Sequence, residues 1–147
     1  PVGILTDVEY ALYPFLGSSS PLVGNVVIVR QFTTQAKRQL DTAIDRISDQ
    51  KESFYIAIEG KRSRDGELRP YKMGAVVMAI RSQATIVPIF FCNSRDVMAR
   101  GEWKVQPGKT VRLIFDSPIS TKGLTHDDRH ELMRTLRQKG EALHREF

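Results

Sequence analysis

The chain has 147 residues, of which 41% are hydrophobic, 27% charged and 8% aromatic. That length suits one domain burying roughly 68–70% of the surface its unfolded chain exposes, and the composition excludes disordered, collagen-like and disulfide-framework chains. Net charge is +5, with 14 Arg against 8 Lys; the guanidinium fork suits phosphate or carboxylate, so the excess favours an anionic ligand. Basicity alone does not choose between nucleic acid, an anionic membrane and a phosphorylated small molecule. No apolar run reaches the roughly 18–20 residues of a spanning helix. The densest, Ile86 to Cys92, carries Pro88. A spanning helix is excluded for these residues, not for a longer parent. Pro1 leads into an apolar run with no Met, basic n-region or signal-like segment, so the chain is expected to be an excised or processed portion.

Gly3-Ile4-Leu5 reads as a short strand, followed by an apolar segment through Tyr10, Leu12, Tyr13 and Phe15 and a loop from Gly17 to Pro21. Residues 25–29 are a β-branched run of buried-strand type, closed by Arg30. Thr33 or Thr34 is placed to cap a helix over 35–48 whose Ala36, Leu40, Ala43, Ile44 and Ile47 fall at helical spacing. Residues 54–58 form the next strand, ending in Glu59-Gly60. A polar loop runs from Lys61 to Pro70, then a helix over 73–83, a strand over 86–91 and another over 111–115. Thr125-His-Asp-Asp128 has the form of a capping box before a last helix over 128–143. Strands alternating with helices predict one α/β domain over 1–147, with a mainly parallel central sheet flanked by helices. Cys92, the one cysteine, cannot form an internal disulfide, fits a reducing compartment and reads as core packing rather than a catalytic thiol.

In such a sheet, ligands bind beyond the carboxyl ends of the strands. Two strands end there in pointed chemistry: Val29 leads into Arg30, and Ile58 into Glu59-Gly-Lys-Arg62. From Lys61 to Lys72, five cations (Lys61, Arg62, Arg64, Arg69, Lys72) face Asp65 and Glu67. On charge alone this is a solvated turn, and Arg-Asp-Gly is ordinary turn chemistry. Its position at a strand end, with Arg30 at another, argues for an anion site.

Glu59-Gly-Lys-Arg-Ser-Arg-Asp-Gly66, Leu68-Arg-Pro-Tyr-Lys-Met-Gly74 and Ile86-Val-Pro-Ile89, in this order, resemble the third and fourth motifs of the 1-acylglycerol-3-phosphate acyltransferase family. Gly24-Asn-Val-Val-Ile-Val-Arg30 resembles its second motif, with Val27 in the aromatic place, and Pro107-Gly-Lys109 and Ser117-Pro-Ile-Ser-Thr121 its downstream strand and exit. The resemblance runs from about Pro14 to Leu136 and implies a glycerol-3-phosphate acyltransferase-like α/β fold. Ala57-Ile58 stands where Phe-Pro is usual, and Lys61 replaces a small residue; Glu59, Gly60, Arg62 and Ser63 stay in register. The family's first motif, His-x-x-x-x-Asp, is absent: no histidine precedes His126. The resemblance therefore places the general-base histidine upstream of Pro1.

In the family that histidine takes the proton of a glycerol hydroxyl, which attacks the thioester of acyl-CoA or acyl carrier protein. The resemblance implies that Arg30 and Arg62 position the glycerol phosphate, with Gly24, Gly60, Lys61 and Ser63 completing the substrate site. Glu59 has a supporting catalytic role, organising the arginines or meeting glycerol hydroxyls; a loop-stabilising ion pair is the other account of it. The implied function is transfer of a fatty acyl group to lysophosphatidic acid or a related glycerophosphate in phospholipid biosynthesis, by a chain inactive without the upstream motif. The alternative is a non-catalytic module of the same descent that binds anionic lipid or phosphate. The expected partners are the acyl donor, a lysophospholipid acceptor and the cytoplasmic side of a membrane surface, with no nucleic acid, metal or cofactor.

Other signals are weaker. His126 and His130 stand four apart on a helix, as zinc ligands do, but Asp127 and Asp128 between them read as capping and solvent exposure. Trp103 is read as a half-buried loop residue rather than an interfacial anchor. There is no Gly-x-Ser-x-Gly elbow, Walker loop or Cys-x-x-Cys pair.

Overall fold

A computed structural model describes residues 2–7, 26–28, 33–61, 63–99, 101–102 and 104–146. Strand β1 (Val2–Asp7) lies between β2 (Val26–Ile28) and β3 (Ser53–Ile56), and both neighbours run parallel to it. The registers Asp7↔Ile28 and Leu5↔Ile56 bring the carboxyl ends of β2 and β3 to the same edge of the sheet. Two ladder spacings separate them, roughly 9–10 Å. Helix α1 (Thr33–Gln50) makes the crossover from β2 to β3, as parallel neighbours require. Its apolar stripe packs as the spacing predicts: Ala43 and Ile44 are buried, and Leu40 and Ile47 join them against Met78, Phe54 and Ile56.

Helix α2 (Met73–Ser82) is apolar on two sides, because it packs between two helices. Met78 faces the α1 cluster, while Val76 and Ile80, one turn apart, meet Leu132 and Leu136 of α4 (Arg129–Glu146). The helix stops at Gln83, whose left-handed backbone (φ 54°) lets its N–H reach the Ala79 and Ile80 carbonyls. The Gln83 side chain then donates to the Leu124 carbonyl at 3.0 Å and accepts the Gly123 N–H at 2.6 Å. Thr125 and Asp128 form the expected capping box, and the first turn they cap, His126–Asp128, is a 3-10 turn that runs into α4.

The expected α/β layering holds, with one difference in the sheet. Strands β4 (Ile89–Cys92) and β5 (Arg112–Phe115) pair antiparallel with each other, in a ladder separate from β2-β1-β3 among the described residues. The cause lies in the connection: between β4 and β5 the longest described helix is α3 (Ser94–Val97), a single turn and no crossover. Two predicted strands with no helix between them carried that signal. The predicted strands are also trimmed. β3 stops at Ile56 because the Ala57 carbonyl accepts the Gly60 N–H at 2.9 Å in a turn. Ile86 makes only an isolated antiparallel bridge to Ile119, since Pro88 has no N–H to continue the ladder. Cys92 ends β4 opposite Arg112 and is half-buried, so it packs at an edge rather than in the core. The segment from Tyr10 to Pro21 and Trp103 lie outside the described residues.

Candidate functional site

The site grows from the carboxyl end of β3. After Ile56 the chain turns on Gly60, whose φ of 76° is left-handed and suits a residue without Cβ. The excursion closes where the Lys72 N–H donates to the Ile58 carbonyl at 2.8 Å, immediately before α2. Inside it, Ser63 Oγ accepts the Gly66 N–H at 2.7 Å and donates to Asp65 Oδ1 at 3.1 Å, which also accepts the Glu67 N–H at 3.1 Å. Its own backbone N–H, the Ser63 hydroxyl and the Glu67 N–H hold the Asp65 carboxyl below its ordinary range. Asp65 therefore shapes the turn as an anion, and the turn reading of Arg-Asp-Gly is correct for its own residues.

Glu59 is half-buried, and its Oε2 accepts the Arg69 N–H at 3.1 Å from across the loop. The carboxylate is thus tied to backbone. Lys61 is exposed at the rim. Glu59, Lys61 and Ser63 line one cleft of about 1110 Å³, whose other walls include Tyr55, Ile58, Tyr71, Phe90 and Phe91. The cleft runs between β3 and β4, where one continuous sheet would have had a strand pair. Tyr55 and Phe91 meet edge to face across it with centroids 6.0 Å apart. Burial raises the Tyr71 phenol above its ordinary pKa, the Glu59 carboxylate raises it further, and Arg137 partly offsets both. The phenol stays neutral. The structure brings Glu59, Gly60, Lys61 and Ser63 together in this loop; Gly24, Arg30 and Arg62 lie outside the described residues.

Three loop contacts come from residues that the sequence did not single out. Arg95 of α3 donates to the Asp65 carbonyl at 2.7 Å, Arg137 of α4 to the Arg69 carbonyl at 2.7 Å, and His144 Nε2 lies 3.3 Å from Glu67 Oε2. These partners are remote in sequence, and no local pattern marks them. His126 and His130 are exposed at the start of α4, and no cluster of three or more His, Cys, Asp or Glu among the described residues is placed to hold a metal.

A polar, cation-bearing loop at the end of a parallel strand, opening on a cleft with mostly apolar walls, has the placement at which α/β folds hold their ligands. Residues 1–92, more than half of the sequence, match the Acyltransferase family model, and the chain belongs to that family. It is 31% identical over 119 residues to the 1-acyl-sn-glycerol-3-phosphate acyltransferase of Limnanthes douglasii, covering 81% of this chain and 42% of that protein. It is 30% identical over 128 residues to the alpha form from Mus musculus, covering 86% and 44%. The chain thus spans a little under half the length of these relatives. The crystal structure of the 1-acyl-sn-glycerophosphate (LPA) acyltransferase PlsC from Thermotoga maritima superimposes with a TM-score of 0.76 at 20% identity, covering 98% of this chain and 56% of that one, and shows the same fold.

Proposed function

We propose that this chain is the acceptor-binding part of a 1-acylglycerol-3-phosphate acyltransferase. One observation carries the reading: in a chain of this family, Glu59, Lys61 and Ser63 rim an apolar cleft of about 1110 Å³. Lysophosphatidic acid has the matching polarity, an anionic glycerophosphate head and a hydrocarbon tail. The head meets the loop cations Lys61 and Arg62, together with Arg30 after β2; the tail takes the apolar walls. Glu59 orients the head through the glycerol or the arginines. The acceptor hydroxyl attacks the thioester carbon of acyl-CoA or acyl carrier protein. Its proton passes to the histidine of a His-x-x-x-x-Asp motif N-terminal to Pro1, the ester bond forms, and the thiolate leaves. No metal or cofactor takes part. No described helix is long and apolar enough to cross a membrane; the protein works at the cytoplasmic face of a membrane that supplies its acceptor.

The test is acyl transfer by the full-length protein from acyl-CoA, or from acyl carrier protein, to lysophosphatidic acid. Glu59→Gln keeps the side chain's shape and removes its charge; kcat/KM for lysophosphatidic acid is expected to fall about 10- to 100-fold, the worth of a hydrogen bond to a charged group. Transfer unaffected by Glu59→Gln would remove Glu59 from the site. Phosphate-dependent lipid binding without transfer would favour the non-catalytic module.

A further inference from the structure

The loop carrying Glu59 is gripped from outside by α4. The Arg69 N–H ties the Glu59 carboxylate to the returning arm of the loop at 3.1 Å. Arg137 holds that same arm: Nη1 donates to the Arg69 carbonyl at 2.7 Å, and Nη2 lies 3.5 Å from the Leu68 carbonyl. The guanidinium is itself aimed. Its Nε donates to Glu141 Oε1, one turn further along α4, at 2.6 Å, and its carbon lies 5.1 Å from the centroid of the Tyr71 ring beneath it. A fork fixed by a carboxylate on one side and an aromatic face on another has already lost its rotamer freedom, so it grips two successive carbonyls at little further entropic cost.

We propose that Arg137 is a positioning residue for Glu59, acting through the backbone of Arg69 to set where the carboxylate meets the acceptor. The inference rests on the acyltransferase reading above. It adds a residue beyond the 1–92 stretch that matches the family model. Arg137 touches no substrate in this scheme; it fixes the arm that fixes Glu59. A lysine here would keep the charge and lose the fork.

The test uses the full-length protein as wild type, Arg137→Ala, Arg137→Lys, Glu59→Gln and the Arg137→Ala/Glu59→Gln double variant. Arg137→Ala is expected to raise the KM for lysophosphatidic acid about tenfold, as loss of a charge-assisted hydrogen bond does, with the KM of the acyl donor unchanged. Arg137→Lys should recover only part of this. In the Glu59→Gln background Arg137→Ala should cost little more, because both act on one path. Hydrogen exchange at the Arg69 and Lys72 amides should quicken in Arg137→Ala. Both KM values rising together, or fully additive losses in the double variant, would reduce Arg137 to general stability and overturn the proposal. Unchanged exchange in the loop would remove the brace itself. Wild-type protein without acyl transfer overturns the functional reading and with it Arg137's part in the reaction, while the exchange data still decide whether Arg137 holds the loop.

Discussion

Thr121 has the one fully buried polar side chain among the described residues, and its hydroxyl lies 3.1 Å from the Ala79 carbonyl and 2.8 Å from the Ala84 carbonyl. The Ala79 carbonyl, in the last turn of α2, already accepts backbone N–H groups from Gln83 and Ala84, and the Ala84 carbonyl lies two residues past the helix, so the hydroxyl ties the helix end to the chain that leaves it. One O–H shared between them joins the family-like Ser117–Thr121 exit to the helix that follows the site loop. Thr121→Val keeps the volume and removes the donor. Chemical denaturation should show a loss of about 1–3 kcal/mol, and Thr121→Ser should lose less because the donor remains. Equal losses in both would assign the effect to packing. At this scale the sequence was legible where chemistry is local. That Glu59, Gly60, Lys61 and Ser63 share one loop could be read because they lie within five successive residues after one strand end. Arg95, Arg137 and His144 could not, since a contact across the fold leaves no spacing to read.

Helix α4 shows how an element's sequence serves a site elsewhere in the chain. Gly140 is buried in its middle, where glycine costs about 1 kcal/mol against alanine in helix propensity. The reason is Tyr71. A Cβ on Gly140 would overlap the Tyr71 hydroxyl and sit 3.3 Å from its Cζ and 3.5 Å from Phe90 Cε1. Gly140→Ala gains the propensity but overpacks a wall of the cleft, which costs about 1–3 kcal/mol. The net expectation is a lower denaturant midpoint instead of the usual gain, with the Tyr71 ring displaced from Arg137. A raised midpoint would mean that Tyr71 yields freely. Helices were readable because burial imposes a 3.6 period: α1 and α4 each extend a few residues past the stretches their periodicity predicts. The pairing of β4 with β5 was less readable, because a strand's composition does not state its direction; only the missing crossover helix does.

Across the whole molecule, three aspartates fasten separate parts of the fold, and each carboxyl is held below its ordinary pKa. Asp65 shapes the site loop through N–H and hydroxyl donors. Asp116 accepts first from Lys139, whose Nζ lies at 2.8 Å and joins the end of β5 to α4, and then from the Ser117 N–H. Asp128 accepts the Thr125 N–H and hydroxyl and so starts the last helical segment. A carboxyl with a lower pKa in the folded chain binds fewer protons there than in the unfolded chain, where aspartate titrates near about 3.9. Stability from these groups is therefore complete above that value and is lost as pH falls through the folded values. Net charge, already +5, rises as carboxylates protonate, and self-repulsion adds to the loss. Urea midpoints measured from neutral pH downward should be flat to about pH 5 and then fall. The Asp116→Asn/Asp128→Asn variant should start lower at neutral pH and fall less steeply, because two of the titrating contacts are already gone. Added salt should lessen the repulsive part without restoring the difference between the two curves. If wild type and variant instead fall in parallel, the acid sensitivity resides in other carboxylates, and these two are ordinary surface contacts.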